Sequence, residues 1–367
     1  MDLNRKVVGS TRQRPTPLVL FDCQVVRQKY ALIRKSLPLA EVFYAIKANP
    51  HPHIVATLHG LGCGFEVSSG PELRLAVEAG ATPEKLICSN PVKAPEFIRQ
   101  AREAGVVHFA VDSVEDIRKM ARHAPGAQLR LRLAVDNSQS EWPLGGKYGA
   151  QPQEIPELLA AARSLGLPVT GLTFHVGSQC LSAESWIRAL EACRAVFDVA
   201  RELGHRMSLI NLGGGLPIKY TRPVPEIEAI GSKITEFVAT TFPEVERLEV
   251  EPGRALVGDA AVLVASVIGK AVRSGKRWLY LDAGVYNCLL ESLGGIRYEM
   301  RAEVGGPVYP HTVAGPSCDS TDVITHDALL PDLAVGDRVY VLNVGAYSLS
   351  YVTQFGGFPS PEVHFLE

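Results

Sequence analysis

Val42-Phe43-Tyr44-Ala45-Ile46-Lys47-Ala48-Asn49-Pro50 is the stretch on which the fold is decided. Val42, Phe43 and Ile46 make it an apolar strand, Lys47 rides at its C-terminal end, and the chain turns at Pro50. A doubly wound dinucleotide fold carries a glycine fingerprint after its first strand; here Lys47-Ala48-Asn49-Pro50 stands in that place. That turns the reading from an open sheet, the runner-up, towards a closed barrel. A lysine at a strand end in apolar surroundings sheds hydration, which favours the neutral amine and a nucleophile for a carbonyl. A solvated surface lysine is the alternative reading of the motif by itself.

Working outward, short apolar runs at 42–48, 64–68, 85–89, 107–111, 129–135, 171–176, 209–212 and 247–250 read as strands. Helical periods lie between them at 52–61, 71–79, 94–104, 113–123, 154–165, 183–203 and 227–241. This alternation predicts an α/β chain with a (β/α)8 TIM-like barrel, whose active site lies at the C-terminal strand ends. Those ends carry Lys47, Glu66, Asn90, Asp112, His175, Gly213-Gly214-Gly215 and Glu251, with Arg132 inside the fifth strand. After Arg254 the pattern changes to strands at 261–272, 278–282, 308–314 and 337–342 with Gly and Pro turns. The run 16–21 is expected to join them. The predicted division is a barrel over 24–256 and an all-β domain built from 1–23 and 257–367.

The 367 residues are 46% hydrophobic and 21% charged, with a net charge of -2. Without a basic excess, a nucleic-acid partner is not expected. The 7 cysteines are scattered and form no CxxC pair, so neither a zinc site nor a disulfide framework is expected, and no metal is assigned. A cytoplasmic location follows from that cysteine usage. Met1-Asp2-Leu3-Asn4-Arg5-Lys6 lacks the apolar run of a signal peptide, and no stretch reaches the roughly 18 apolar residues of a membrane span.

Taken singly, the polar motifs are ambiguous. Gly213-Gly214-Gly215 is either a flexible turn or a backbone cradle for an anion. Glu251-Pro252-Gly253-Arg254 suits a structural ion pair as well as a functional carboxylate, and His175 suits a satisfied core position. Together they ask for a cofactor with an aldehyde for a lysine, a ring for a histidine, a ring nitrogen for a carboxylate and a phosphate for glycine amides. Pyridoxal 5'-phosphate has all four.

At this point the chain resembles the ornithine/diaminopimelate/arginine decarboxylase family, the fold-type III pyridoxal-phosphate enzymes. The resemblance rests on Tyr44-Ala45-Ile46-Lys47-Ala48-Asn49, Phe174-His175-Val176-Gly177-Ser178, Gly213-Gly214-Gly215 and Glu251-Pro252-Gly253-Arg254. It extends through Gly315-Pro316-Ser317-Cys318-Asp319-Ser320, Gly345-Ala346-Tyr347-Ser348 and Phe355-Gly356-Gly357-Phe358. It implies a barrel plus a β domain. It implies that Lys47 holds the cofactor as a Schiff base, Glu251 contacts the pyridine nitrogen and His175 stacks on the ring. Ser178, Gly213, Gly214, Gly215, Gly253, Arg254 and Tyr347 would hold the phosphate, while Glu66, Arg132 and Glu72 match further active-site positions. Cys318 would protonate Cα after carbon dioxide leaves, delivered from the second subunit of a homodimer with shared sites.

The resemblance points to a basic L-amino acid, ornithine first and lysine next, because Asp319 after Cys318 matches the ornithine/lysine branch and a carboxylate selects an ammonium tail. Diaminopimelate decarboxylases typically carry glutamate there. One departure bears on substrate: a tyrosine-aspartate pair usual in ornithine decarboxylases, shortly after the strand matched by Asp282-Ala283-Gly284-Val285-Tyr286, is replaced in Asn287-Cys288-Leu289-Leu290-Glu291-Ser292. Either Glu291 substitutes for that carboxylate, with Tyr286 nearby, or the pocket takes another tail, as in diaminopimelate or a modified amino acid. Arg297 and Arg301 could serve a substrate carboxylate or lie on the surface. A catalytically silent regulator and a cofactor carrier are the readings from other classes.

Overall fold

The computed structural model describes residues 5–366, with the side chain of Arg5 left aside; Met1–Asn4, part of the expected 1–23 segment, and Glu367 lie outside the described residues. The chain divides into two compact units, one of Lys29–Pro217 with Val224–Gly253, the other of Met1–Gln28, Ile218–Pro223 and Arg254–Glu367.

The first unit is an eight-stranded parallel barrel. Its strands are Ala40–Ala45, Gly64–Glu66, Leu86–Ile87, His108–Val111, Gln128–Arg132, Val169–Thr173, Leu209–Asn211 and Arg247–Val250. The last pairs in parallel with the first, Val250 opposite Val42. The ring closes at Cys88, whose N–H donates to His108 O at 3.1 Å while Ala110 N–H donates to Cys88 O at 2.8 Å. All eight expected strands are present, trimmed where the chain leaves the ladder. The first stops at Ala45, and Ile46–Ala48 forms a 3-10 turn, so Lys47 stands beyond the strand rather than in it.

Two of the barrel helices begin at serine caps. The Ser69 and Ser113 side chains accept from Glu72 N–H and Asp116 N–H, starting the helices Gly70–Glu78 and Val114–His123. The longest helix, Glu184–Glu202, buries Trp186, Leu190, Cys193 and Val196 at helical spacing. The helix Cys23–Ser36 and the antiparallel ladder between Ser140–Trp142 and Ser178–Cys180 were not foreseen. Asp22, whose carboxylate accepts from Gln24 N–H at 2.8 Å, is the cap that could have announced the helix.

The second unit is a mixed sheet ordered Met300–Ala302, Arg338–Leu342, Ala261–Arg273, Lys276–Leu281, Val308–Ala314 and Val323–Pro331. Leu18–Phe21 pairs antiparallel with Ala261–Arg273 and parallel with Glu362–Phe365. One core layer packs Leu18, Leu20, Val262, Val264, Tyr340 and Leu342. The strands at 300–302, 323–331 and 362–365 escaped the sequence reading; Val323–Pro331 carries two charged or titratable residues, His326 and Asp327, in mid-run and ends in proline. The unit also takes in Ile218–Pro223, which the sequence reading left in the barrel. Asn343 Nδ2 donates to Lys219 O at 2.8 Å, and Gly258 leaves room for Ile218, whose Cδ1 would lie 2.4 Å from an added Cβ.

Barrel geometry makes one glycine indispensable. A Cβ on Gly171, opposite Leu209 in the parallel ladder, would lie 2.1 Å from Leu209 O. Gly171→Ala is expected to destabilise the protein by about 1–3 kcal/mol, the usual range for overpacking, read as a lowered urea midpoint at unchanged m-value.

Candidate active site

Alternation along the barrel strands aims side chains two apart at the same face. In the eighth strand and the residue after it, Glu249 and Glu251 share that face; in the fifth, Arg130 and Arg132 do. Around the C-terminal ends the barrel brings together Lys47, Glu66, Ser89, Asn211 and Glu251.

Lys47 Nζ lies 2.5 Å from Glu66 Oε2. Its side chain is 48% exposed while that of Glu66 is 1% exposed. This corrects the expectation of a lysine stripped of water by apolar neighbours: the 3-10 turn lifts it off the strand and an ion pair holds it. Glu66 also accepts from Ser68 Oγ at 2.8 Å. Glu72 accepts from Ser68 N–H at 2.7 Å and caps its helix; burial, then the Glu66 charge, raises its carboxyl above the ordinary value.

Glu251 is buried and accepts from Asn211 Nδ2 at 2.6 Å and from Ser89 Oγ. Burial first and Glu66 second push its carboxyl up to about 7, against the pull of Ser89, Lys47 and Asn211. His175 is pushed down to about 3 by burial and by Arg132 and Lys47, so its ring is neutral. Its Nδ1 accepts from Gly177 N–H at 3.0 Å, which puts the ring proton on Nε2. The Arg132 guanidinium lies over the Tyr148 ring, 5.3 Å from its centroid. Asp112 accepts from Gly149 N–H, and the Asn90 amide is turned to Val92 O.

The glycine triplet is a cradle that no side chain fits. An added Cβ would meet Phe174 O at 2.1 Å on Gly213, Glu251 O at 2.8 Å and His175 Nε2 at 3.0 Å on Gly214, and Gly177 O at 2.5 Å on Gly215. The three amides are not equivalent. Gly213 N–H is taken by Asn211 Oδ1 at 2.8 Å, whereas Gly214 and Gly215 N–H donate to no acceptor among the described residues. Anion binding is therefore open to the last two and not to Gly213 as placed. Ser178 opens the strand Ser178–Cys180 beside this turn, where Cys180 N–H donates to Gly215 O at 2.9 Å. An amine, a neutral ring donor, a buried carboxylate and bare amides on one barrel end match the aldehyde, ring and phosphate of pyridoxal phosphate.

The second unit carries the remaining sequence-predicted residues. Cys318 is exposed, while the other six cysteines, Cys288 among them, are buried. Its loop is tied by Asp322, which the sequence reading missed: the buried carboxylate accepts from Val285 N–H at 2.8 Å and Ser317 N–H at 2.9 Å. A Cβ on either Gly284 or Gly315 would strike Asp322 Oδ1 at 2.3 Å. Asp319 Oδ1 accepts from Thr321 N–H and Oγ1, which holds its carboxyl below the usual range, and Tyr286 OH lies 2.6 Å from Thr321 Oγ1.

Glu291 is corrected by the geometry. It is buried and grips Arg254 with both oxygens, Nη1 to Oε2 at 2.7 Å and Nη2 to Oε1 at 2.6 Å. It does not stand as a carboxylate for a substrate ammonium. Arg254 Nη1 also donates to Tyr220 OH at 2.6 Å, and its guanidinium lies 4.9 Å from the Tyr347 ring centroid. Gly253, the residue before it, closes the barrel unit. Arg297 and Arg301 pair with Asp327 and Glu299 on the surface. Among the described residues no helix is long and apolar enough to cross a membrane.

Residues 23–258 match the model of the pyridoxal-dependent decarboxylase family, pyridoxal binding domain, and the chain belongs to that family. It is a pyridoxal-phosphate-dependent decarboxylase, and pyridoxal phosphate is its cofactor. The chain is 37% identical to lysine/ornithine decarboxylase of Selenomonas ruminantium, covering 97% of this chain and 91% of the relative. It is 32% identical to antizyme inhibitor 2 of Xenopus laevis, covering 99% and 84%. The lysine/ornithine decarboxylase of Vibrio vulnificus complexed with cadaverine superimposes with a TM-score of 0.92 at 32% identity, covering 100% of this chain and 98% of that one.

The raised Glu251 carboxyl has a stability consequence with a definite sign. Between the unfolded carboxyl range and about pH 7 the folded cofactor-free chain holds a proton that the unfolded chain has lost, so this contribution weakens as pH rises. Glu251→Gln should make the slope of apoprotein unfolding free energy against pH more positive between pH 4.5 and 7 than in wild type, since it removes this falling contribution and leaves the rising ones of buried His108 and His175. Parallel slopes in denaturant titrations across that window would count against the assignment.

Proposed function

We propose that the protein decarboxylates a basic L-amino acid, L-ornithine or L-lysine, to the corresponding diamine. The observation that carries this reading is the exposed Cys318 beside Asp319 on a loop fixed by Asp322. A thiol that can give a proton and a carboxylate that can face an ammonium stand next to each other in sequence. The likeness to lysine/ornithine decarboxylases supports the same substrate class.

The reaction breaks the bond between Cα and the carboxyl carbon, releases carbon dioxide and places a proton on Cα. When bound, the cofactor supplies an aldehyde carbon for amines and a ring that accepts the electron pair left at Cα. Glu66 holds and orients Lys47 and would take the proton its ammonium must lose before the neutral amine can act as a nucleophile. Glu251 presents a carboxylate to the ring nitrogen, and His175 offers its neutral ring to the ring face. Gly214, Gly215, Ser178, Gly253, Arg254 and Tyr347 are proposed for the phosphate, Arg254 with its guanidinium already shared with Glu291. Cys318 Sγ gives the proton to Cα, and Asp319, with Tyr286, faces the distal ammonium. In this reading Cys318 serves the site of a second copy in a homodimer in the cytoplasm, where its thiol stays reduced.

The likeness to antizyme inhibitor 2 raises a regulatory role, the second reading, beside the decarboxylation. Carbon dioxide release tests the first reading. With added pyridoxal phosphate, turnover of L-ornithine or L-lysine above L-arginine and meso-diaminopimelate, with the diamine identified, is the expected result. No release from any of the four would sink the substrate assignment, and a preference for meso-diaminopimelate would transfer it to a tail that does not depend on Asp319. Mixing inactive Lys47→Ala and Cys318→Ala chains should restore up to about a quarter of wild-type activity, the share of intact sites expected when subunits exchange at random. No recovery despite demonstrated exchange rejects the shared site.

A further inference from the structure

Beneath Glu251 the barrel interior holds an ionic network that none of the steps above uses. Arg130 and Glu249 are 1% and 0% exposed and form a double contact, Nη1 to Oε2 at 2.5 Å and Nη2 to Oε1 at 2.9 Å. Arg247 Nε lies 2.9 Å from Glu249 Oε1. A buried ion pair is a costly way to fill a space that apolar side chains fill at lower cost, so stability alone does not account for it.

Asn211 joins this pair to Glu251. Its Nδ2 donates to Glu249 Oε2 at 2.9 Å and to Glu251 Oε1 at 2.6 Å, one hydrogen for each carboxylate. Its Oδ1 accepts from Gly213 N–H at 2.8 Å. The amide is thus keyed from both ends. The Glu249 oxygens, held by two contacts from Arg130, take the nitrogen side of the amide, and the Gly213 N–H donates only to the oxygen side. A flipped amide would aim Oδ1 at Glu251, where only a protonated carboxyl could meet it.

We infer that Asn211 is a positioning residue, anchored by Arg130 and Glu249, that orients Glu251 and favours its ionised form against the cofactor ring nitrogen. The other groups facing Glu251 are Glu66, which opposes ionisation, and Lys47, Arg130, Arg132 and Ser89, which favour it. Among the described residues, only the Asn211 side chain links the Glu251 carboxylate both to the Arg130–Glu249 pair and to the glycine turn.

The test reads release of pyridoxal phosphate from the holoenzyme, followed by the absorbance of the bound cofactor from pH 5 to 9. Asn211→Asp has the same size but replaces the donor with a third carboxylate. It should speed release about tenfold at neutral pH and raise by about one unit the pH at which acid accelerates release, the two being equivalent in free energy. In a Glu251→Gln background the same substitution should add less than about twofold, because coupled groups are not additive. Arg130→Met/Glu249→Leu, which removes both charges without stranding either, should move release in the same direction by about threefold. Wild-type release and pH dependence in Asn211→Asp, or an undiminished effect in the Glu251→Gln background, overturns the inference. Should Asn211→Asp not fold, the double variant decides it by the same two readouts, wild-type behaviour again overturning it.

Discussion

The closed parallel ladder is the constraint from which the barrel's chemistry follows. Strands that all run the same way leave all their C-terminal ends at one mouth, and closure through Cys88 and Phe109 gives the ring no free edge. Residues as far apart in sequence as Lys47, Ser89, His175 and Glu251 are gathered by this requirement alone. Close approach of the backbones then dictates glycine at Gly171 and Gly213, where a Cβ would enter a neighbouring carbonyl.

Gathering polar groups in a barrel has an electrostatic consequence. Glu66, Glu249 and Glu251 are all buried in the same unit. Removing one partner from a buried ion pair typically costs about 3–5 kcal/mol, so each carboxylate needs a donor set of its own. Glu66 has Lys47 and Ser68, Glu249 has Arg130 and Arg247, and Glu251 has two neutral donors, Ser89 and Asn211. Glu251 is therefore the carboxylate without a full cation in contact, and its affinity for a proton is raised. Under the proposed function a cationic ring nitrogen is the partner that completes its donor set, which links its electrostatics to the cofactor rather than to the fold.

The eight strands and seven of the barrel helices were legible because apolar periodicity, helped by a serine cap at two of the helices, marks them locally. The helix Cys23–Ser36 was not, since the polar stretch Arg27-Gln28-Lys29 interrupts its apolar positions and its Asp22 cap abuts an expected strand. The site was legible where a residue type is unusual at a strand end, as at Lys47, His175 and Glu251. Ser89, Asn211 and Asp322 were not, because serine, asparagine and aspartate near turns have ordinary local explanations, and only three-dimensional contact gives them another. Glu291 shows the reverse error: its position in sequence suggested a substrate contact, but Arg254, distant by 37 positions, takes both its oxygens.

That pairing narrows where substrate charge can be read. A carboxylate offers about four acceptor positions. Glu291 spends its oxygens on a buried guanidinium, and withdrawing one would leave Arg254 under-compensated in a buried setting. Asp319 is half-buried and receives both Thr321 bonds on Oδ1. Under the proposed function the selecting charge is therefore Asp319, adjacent to the proposed proton donor Cys318. Both ride on one loop, which Asp322 ties through Ser317 N–H and Val285 N–H. Selecting the amino-acid tail and protonating Cα then depend on the same local geometry, so a substrate whose tail fails to engage Asp319 also misplaces its Cα relative to the thiol. Discrimination by that route falls on turnover as well as on binding, because the contact helps to align the reacting atoms.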